Sequence, residues 1–270
     1  MAEEGRRPDG SALSAGSGRD RAIGALVGFA VGDAVGTTVE FARPGTFTPV
    51  TDKVGGGPFG LPVGAWTDDT SMAMCLAESV LDRGTLDPVD QLSRYLRWFR
   101  DGYWSSTGFC FDIGTTTRVA LRRFETTGEP FDPHPDDEAA ANGSLMRLAG
   151  VPIRWHTDLA EAAERSAESS RTTHPASRPT DACRVLGAMT AALIDGTPDT
   201  EPTRTTESQT RWNDGWDIAN RRLPSGTTGE VKAARSEARG ASMAAGGSRS
   251  PSPTGRRAPR VLSPFDHRPV

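Results

Sequence analysis

Between positions 20 and 196 the apolar residues recur at intervals of three and four rather than alternating, which is the pattern of helices with one buried face. The first stripe is Ile23, Leu26, Val27, Ala30, Val31, Ala34 and Val35, with Asp20 placed to cap its start. Gly24, Gly28 and Gly32 are spaced four apart within it and predict a close approach by another helix. A second stripe, Ala73, Leu76, Ala77, Val80 and Leu81, closes at Gly84. A third opens at Asp87-Pro88 and continues through Val89, Leu92, Leu96 and Phe99. Weaker periodic stretches cover 113–124 and 158–169, and a last stripe, Ala182, Val185, Leu186, Met189 and Leu193, stops at Gly196. There is no run of alternating β-branched residues and no solenoid repeat. The pattern predicts an all-α, multi-helix bundle.

Composition divides the chain into three. Residues 1–19 are small, polar and Gly/Ser-rich and read as a disordered N-terminal arm. Residues 20–196 are the helical domain. Residues 197–270 carry few large aliphatics, end in GGSRSPSPTGRRAPR, and read as a low-complexity, disordered tail. The tail is basic and the remainder acidic, for a formal net charge of -4 over 270 residues. That balance argues against a nucleic-acid partner. No run of about 18 consecutive apolar residues is present, so no membrane partner is expected. The first twenty residues lack the apolar core of a secretory signal. Cys75, Cys110 and Cys183 are odd in number and far apart, which fits neither a disulfide framework nor a zinc site and points to a reducing, cytoplasmic setting.

Candidate chemistry is concentrated in four places. Trp66-Thr67-Asp68-Asp69-Thr70 precedes the second helix. Its adjacent carboxylates and hydroxyls are hard oxygen donors suited to a divalent cation, and equally the residue types that cap a helix start. Gly32-Asp33-Ala34-Val35-Gly36 ends the first helix, where an acid is badly placed for the dipole; Asp33 therefore needs a backbone N–H or a cation as partner. Glu40 follows, a surface residue unless it faces the acids of 68 and 69. Asn142-Gly143-Ser144-Leu145-Met146-Arg147 presents exposed backbone N–H groups, either an anion site fit for a diphosphate or an ordinary turn. Phe111-Asp112-Ile113-Gly114-Thr115-Thr116-Thr117 is a second Gly/hydroxyl turn with the same two readings. His174, in Thr173-His174-Pro175, could meet a phosphate or ribose, or be a loop histidine with no role.

In order and separation these motifs resemble the ADP-ribosylglycohydrolase family, which includes dinitrogenase reductase-activating glycohydrolases. The resemblance covers roughly 20–196. It implies an all-α fold around a binuclear Mg²⁺ or Mn²⁺ centre, and hydrolysis of the bond at the ribose anomeric carbon of an ADP-ribosylated protein or ADP-ribose conjugate. Carried over, Thr67, Asp68 and Asp69 would be metal ligands, and Glu40 and Asp68 the catalytic candidates. Asp33, Asn142, Gly143, Ser144 and His174 would contact substrate. The family's later Asp-x-Asp-Thr motif has no counterpart: Asp199-Thr200 is a lone pair, and Asn213-Asp214-Gly215-Trp216-Asp217 has the wrong spacing. The domain therefore reads as incomplete, its second ion is in doubt, and activity is expected to be impaired. The alternative is a non-catalytic ADP-ribose-binding or structural relative.

Overall fold

The computed structural model describes residues 16–196, and these are helical with no β-strand; an isolated bridge joins Gly56 and Leu61. The order is α1 (Gly18–Gly36), a 3-10 turn (Thr37–Val39), α2 (Asp68–Arg83), α3 (Pro88–Asp101), α4 (Thr115–Thr127), the short α5 (Gly150–Arg154), α6 (Leu159–Arg171) and α7 (Ser177–Asp195). Residues 197–270, with the tail and its acidic pairs, lie outside the described residues, as do 1–15 of the N-terminal arm.

The helix ends follow local chemistry. Asp87 accepts from the backbone N–H groups of Val89 and Asp90 and starts α3 with Pro88 in its first turn, and Asp158 does the same for α6 through Ala160 and Glu161. Gly84, Gly102 and Gly128 close α2, α3 and α4 in the left-handed conformation. At α1 the expectation needs correction. The helix begins at Gly18, and Ser17, not Asp20, is the cap: its hydroxyl accepts from the Asp20 N–H at 3.1 Å.

The main core lies between α2, α3, α4, α5 and α7. Met72, Leu76, Leu92, Tyr95, Trp98, Leu121, Leu148 and Val151 are almost wholly removed from solvent there. Gln91 crosses from α3 to α6, where its Nε2 donates to the Ser169 carbonyl, the Ser169 hydroxyl and Thr172 Oγ1. Helices α6 and α7 meet along small residues: Ala163 packs with Ala188, and Gly187 faces Ser166 and the Ala162 carbonyl. A Cβ on Gly187 would lie 2.0 Å from Ser166 Oγ. Leu81 and Val89, read from the pattern as core positions, point outward at 80% and 47% exposure; their helices bury Ser79 and Gln91 instead.

Helix α1 departs most from the expectation. Of its stripe only Ala34 is buried, while Ile23, Val27 and Val31 are 41–53% exposed. Gly24, Gly28 and Gly32 meet nothing within 4 Å, so among the described residues no helix uses that glycine face. Gly18–Val39 is also long and apolar enough to cross a membrane by length and composition, a property that counting uninterrupted apolar residues misses because Asp33 and the glycines break the run. The helix is nevertheless tied into the domain at both ends. Arg21 donates to the carbonyls of Ile194 and Gly196 at the end of α7, and Asp33 reaches into the start of α2.

Replacing the α3 cap, Asp87→Ala, is expected to lower the unfolding free energy by about 1 kcal/mol. Chemical denaturation against a Ser93→Ala control on the exposed face of the same helix measures it.

Candidate active site

The site is assembled on the N-terminus of α2. Thr67, the residue before the helix, is 3% exposed and makes no capping bond of its own to α2. Asp33, from the last turn of α1, does that work. Its carboxylate accepts from the backbone N–H groups of Thr67 (3.0 Å) and Thr70 (3.1 Å) and from the hydroxyls of Thr67 (2.9 Å) and Thr70 (2.6 Å). The acid at the wrong end of α1 is thus at the right end of α2, where the dipole favours it. Asp33, assigned to substrate from the motif, has its oxygens committed to this cap and positions the two acids beside it.

Those acids are Asp68 and Asp69. Asp68 is 4% exposed, and burial together with Asp69, Asp112 and Asp33 pushes its pKa up to about 9. Asp69 is pushed up to about 7 by burial and by Asp33, Glu40 and Asp112. Glu40 ends the 3-10 turn, where Thr37 Oγ1 donates to it at 3.4 Å, and it too rises to about 7, through burial and then Asp112. The structure thus turns Glu40 toward the acids of α2. Gly57 secures that turn: at φ +68° its missing Cβ lets the Thr37 carbonyl approach to where a Cβ would stand 2.5 Å away.

Asp112 completes the group and was not singled out from the sequence, where it reads as part of a Gly/hydroxyl turn. It sits before α4 at φ +58°, and its carboxyl, raised mainly by burial, interacts with both Glu40 and Asp68. An acid two residues before a helix-starting Gly-Thr was the available signal. An aromatic chain joins the loops that carry Glu40 and Asp112: Phe41 stacks edge-on with Phe59 (6.2 Å), and Phe59 with Phe111 (5.5 Å).

The donors Thr67, Asp68, Asp69, Glu40 and Asp112 are hard oxygens of the kind that suits Mg²⁺ or Mn²⁺, and the acids among them are raised first by burial and then by one another. Among the described residues, however, no three His, Cys, Asp or Glu side chains converge on a single ion. The two-ion expectation thus gains no closed ligand set from residues 16–196.

The other candidate group is the Asn142–Ser144 turn. Asn142 is exposed, and its carbonyl accepts from the N–H groups of Leu145 and Met146. Gly143 packs against His174, and a Cβ there would lie 2.7 Å from the ring. The Ser144 hydroxyl turns inward, accepting from Ser170 Oγ (2.8 Å) and Cys183 Sγ (3.4 Å). His174 is 1% exposed, its Nδ1 lies 2.8 Å from Thr173 Oγ1, and burial with Arg147 nearby lowers its pKa to about 3. It is therefore a neutral, buried support for the turn. The structure brings Asn142, Gly143, Ser144 and His174 together as one unit, and Asp33, Glu40, Asp68 and Asp69 as another.

The framework is thus an all-helical domain with carboxylates gathered at one helix start and a glycine turn held by a neutral histidine. The family model for ADP-ribosylglycohydrolase matches residues 15–259, and the chain belongs to that family. It is 45% identical over 177 residues to the ADP-ribosylarginine hydrolase Tri1 of Serratia proteamaculans, covering 66% of this chain and 48% of the relative. It is 33% identical over 181 residues to the ADP-ribosyl-[dinitrogen reductase] glycohydrolase of Rhodospirillum rubrum, covering 66% and 59%. A solved structure described as an ADP-ribosylglycohydrolase-related protein complex superposes with a TM-score of 0.58 at 42% identity, over 67% of this chain and 59% of that one. The chain thus spans about half the length of these relatives.

Two expectations follow. Asp33→Ala leaves two N–H groups and two hydroxyls without their acceptor and should cost at least about 2 kcal/mol, with Asp33→Asn costing less; urea unfolding with circular dichroism measures both. The second concerns pH in chelator. The folded pKa values of Glu40, Asp69 and Asp68 lie above their ordinary values, so the folded state holds protons the unfolded chain releases. Their contribution is fully present below about pH 4 and is lost as pH rises through about 7 and then about 9. Melting temperature should therefore fall across that range. Asp68→Asn should raise it at pH 8 by at least about 2–4 °C, the shift about 1 kcal/mol produces in a domain of this size.

Proposed function

We propose that this chain carries a metal-dependent ADP-ribosyl hydrolase site acting on ADP-ribosylated protein side chains, with ADP-ribosylarginine as the substrate. The observation that carries the reading is the grouping of Asp68, Asp69, Glu40 and Asp112 around Thr67, in a chain 45% and 43% identical to two proteins named ADP-ribosylarginine hydrolase.

Thr67, Asp68 and Asp69 would hold Mg²⁺ or Mn²⁺, leaving Glu40 and Asp112 beside them to carry protons. When bound, the cation supplies positive charge to orient ribose hydroxyls and to acidify a bound water. The chain's own residues then do the following. Asp33 fixes the first turn of α2 so that Asp68 and Asp69 leave it at a set angle. Glu40, pushed up to about 7 by burial and Asp112, can hold or yield a proton near neutral pH. Breaking the bond between the anomeric carbon and the guanidine nitrogen leaves that nitrogen in need of a proton, which Glu40 donates. The attacking water forms the new carbon–oxygen bond and gives its proton to Asp112. The Asn142–Ser144 turn, braced by neutral His174, takes the diphosphate on its N–H groups. The sequence carries no Asp-x-Asp-Thr motif after Gly196, so turnover by this chain should be well below that of the longer Serratia relative assayed alongside it.

The test is release of free ADP-ribose from an ADP-ribosylarginine protein in Mg²⁺ or Mn²⁺, followed by chromatography. Release is expected to stop in chelator and to fall at least about 100-fold in Asp68→Ala and Glu40→Gln, the order seen when a positioned acid–base group is lost. Release that ignores chelator and both substitutions, or no release beyond the unenzymatic rate, overturns the reading.

A further inference from the structure

Arg147 is unlike the other charged residues of the domain. It is 0% exposed, among the largest fully buried side chains, and no Asp or Glu of the described residues lies within ion-pair distance of it. Its Nη1 donates to the Gly143 carbonyl at 2.8 Å, and its Nη2 to the Ser169 carbonyl (3.3 Å) and Thr172 Oγ1 (3.4 Å). Its guanidinium lies 4.8 Å from the centre of the Tyr95 ring, and its Nε is buried with no partner. A buried cation without a counter-charge is costly, by several kcal/mol in typical cases. Carbonyls and an aromatic face offset only part of that, so the charge calls for an anion.

The backbone beside it shows where the anion goes. Every peptide in the described residues is trans, so the carbonyl and the N–H of one peptide unit point in opposite directions. The Gly143 carbonyl is drawn inward to Arg147, which turns the Ser144 N–H away from it. The Asn142 carbonyl accepts from Leu145 and Met146, which turns the Gly143 N–H away from them. Both Gly143 and Ser144 are buried, yet neither N–H has an acceptor among the described residues. Buried N–H groups rarely go without one.

We infer that Arg147 is a positioning residue for the diphosphate of ADP-ribose: its buried guanidinium pins the Gly143 carbonyl so that the Gly143 and Ser144 N–H groups face the anion, and it supplies the positive charge behind them. This rests on the ADP-ribose reading given above. Arg147 need not touch the ligand; it acts through the turn and through an electrostatic field that its surroundings screen weakly.

The test is titration calorimetry on the full chain with ADP-ribose, adenosine and inorganic pyrophosphate. The readout is the ratio of ADP-ribose to adenosine affinity, which a merely structural defect would leave alone. In Arg147→Met that ratio should collapse by at least about tenfold, and pyrophosphate binding should weaken by a similar factor; Arg147→Lys, which keeps the charge, should lose less than about threefold. A parallel loss for both ligands in Arg147→Met, or an unchanged ratio, overturns the assignment. If the Met variant does not fold, the wild-type chain still decides: a buried cation predicts pyrophosphate affinity that falls less than about threefold between 0.05 and 0.5 M NaCl, whereas a steep fall assigns binding to surface cations and overturns it. Pyrophosphate binding with no release of ADP-ribose from modified arginine would sink the hydrolase reading and leave Arg147's role standing. Hydrolysis with an unaltered ratio in Arg147→Met would do the reverse.

Discussion

The carboxylate of Asp33 is the joint on which the site depends. Helix α1 delivers it from its own unfavourable end to the N-terminus of α2, where it accepts from Thr67 and Thr70 through both backbone and hydroxyl groups. One side chain thereby satisfies orphan donors of α2, spends its charge where the helix dipole favours it, and fixes the angle at which Asp68 and Asp69 emerge. Without that joint, α1 is anchored mainly through Arg21 and the end of α7.

The rest of the site carries an electrostatic imbalance of two signs. Around α2 the acids Glu40, Asp68, Asp69 and Asp112 raise one another's pKa values, with burial the largest cause in each. Behind the Asn142–Ser144 turn stands Arg147, a buried cation beside a histidine kept neutral. The domain keeps the acids and the guanidinium in separate regions and does not pair them with each other. On the proposed reading, a divalent cation would answer the acids and a diphosphate the guanidinium.

Much of this was legible in the residue order. Stripes at three- and four-residue spacing located α2, α3, α6 and α7, helped by local end signals: a capping aspartate at α3 and α6 and a closing glycine at α2, α3 and α7. The pairing of Thr67-Asp68-Asp69 with a helix start, the turn at Asn142 and the loop histidine were visible for the same reason. What failed was anything that depends on what a helix packs against. The stripe of α1 looked like a core face but is half exposed, and its glycine spacing meets no neighbour among the described residues. Asp112 was passed over because its contribution comes from lying beside Glu40 and Asp68, which are 72 and 44 positions away in a chain whose turns hide such separations.

The sequence by itself determined that the domain is helical, roughly where its longer helices lie, and which short motifs hold oxygen donors or bare backbone. Those properties are set by neighbours within four or five residues and need no knowledge of the fold. Only the tertiary structure decided that Asp33 caps a helix other than its own, that Glu40 faces the acids of α2, that Ser144 turns its hydroxyl inward, and that Arg147 is buried without a counter-charge. Each of these depends on burial and on distances between residues remote in the chain, and charge acquires its chemical meaning from such surroundings.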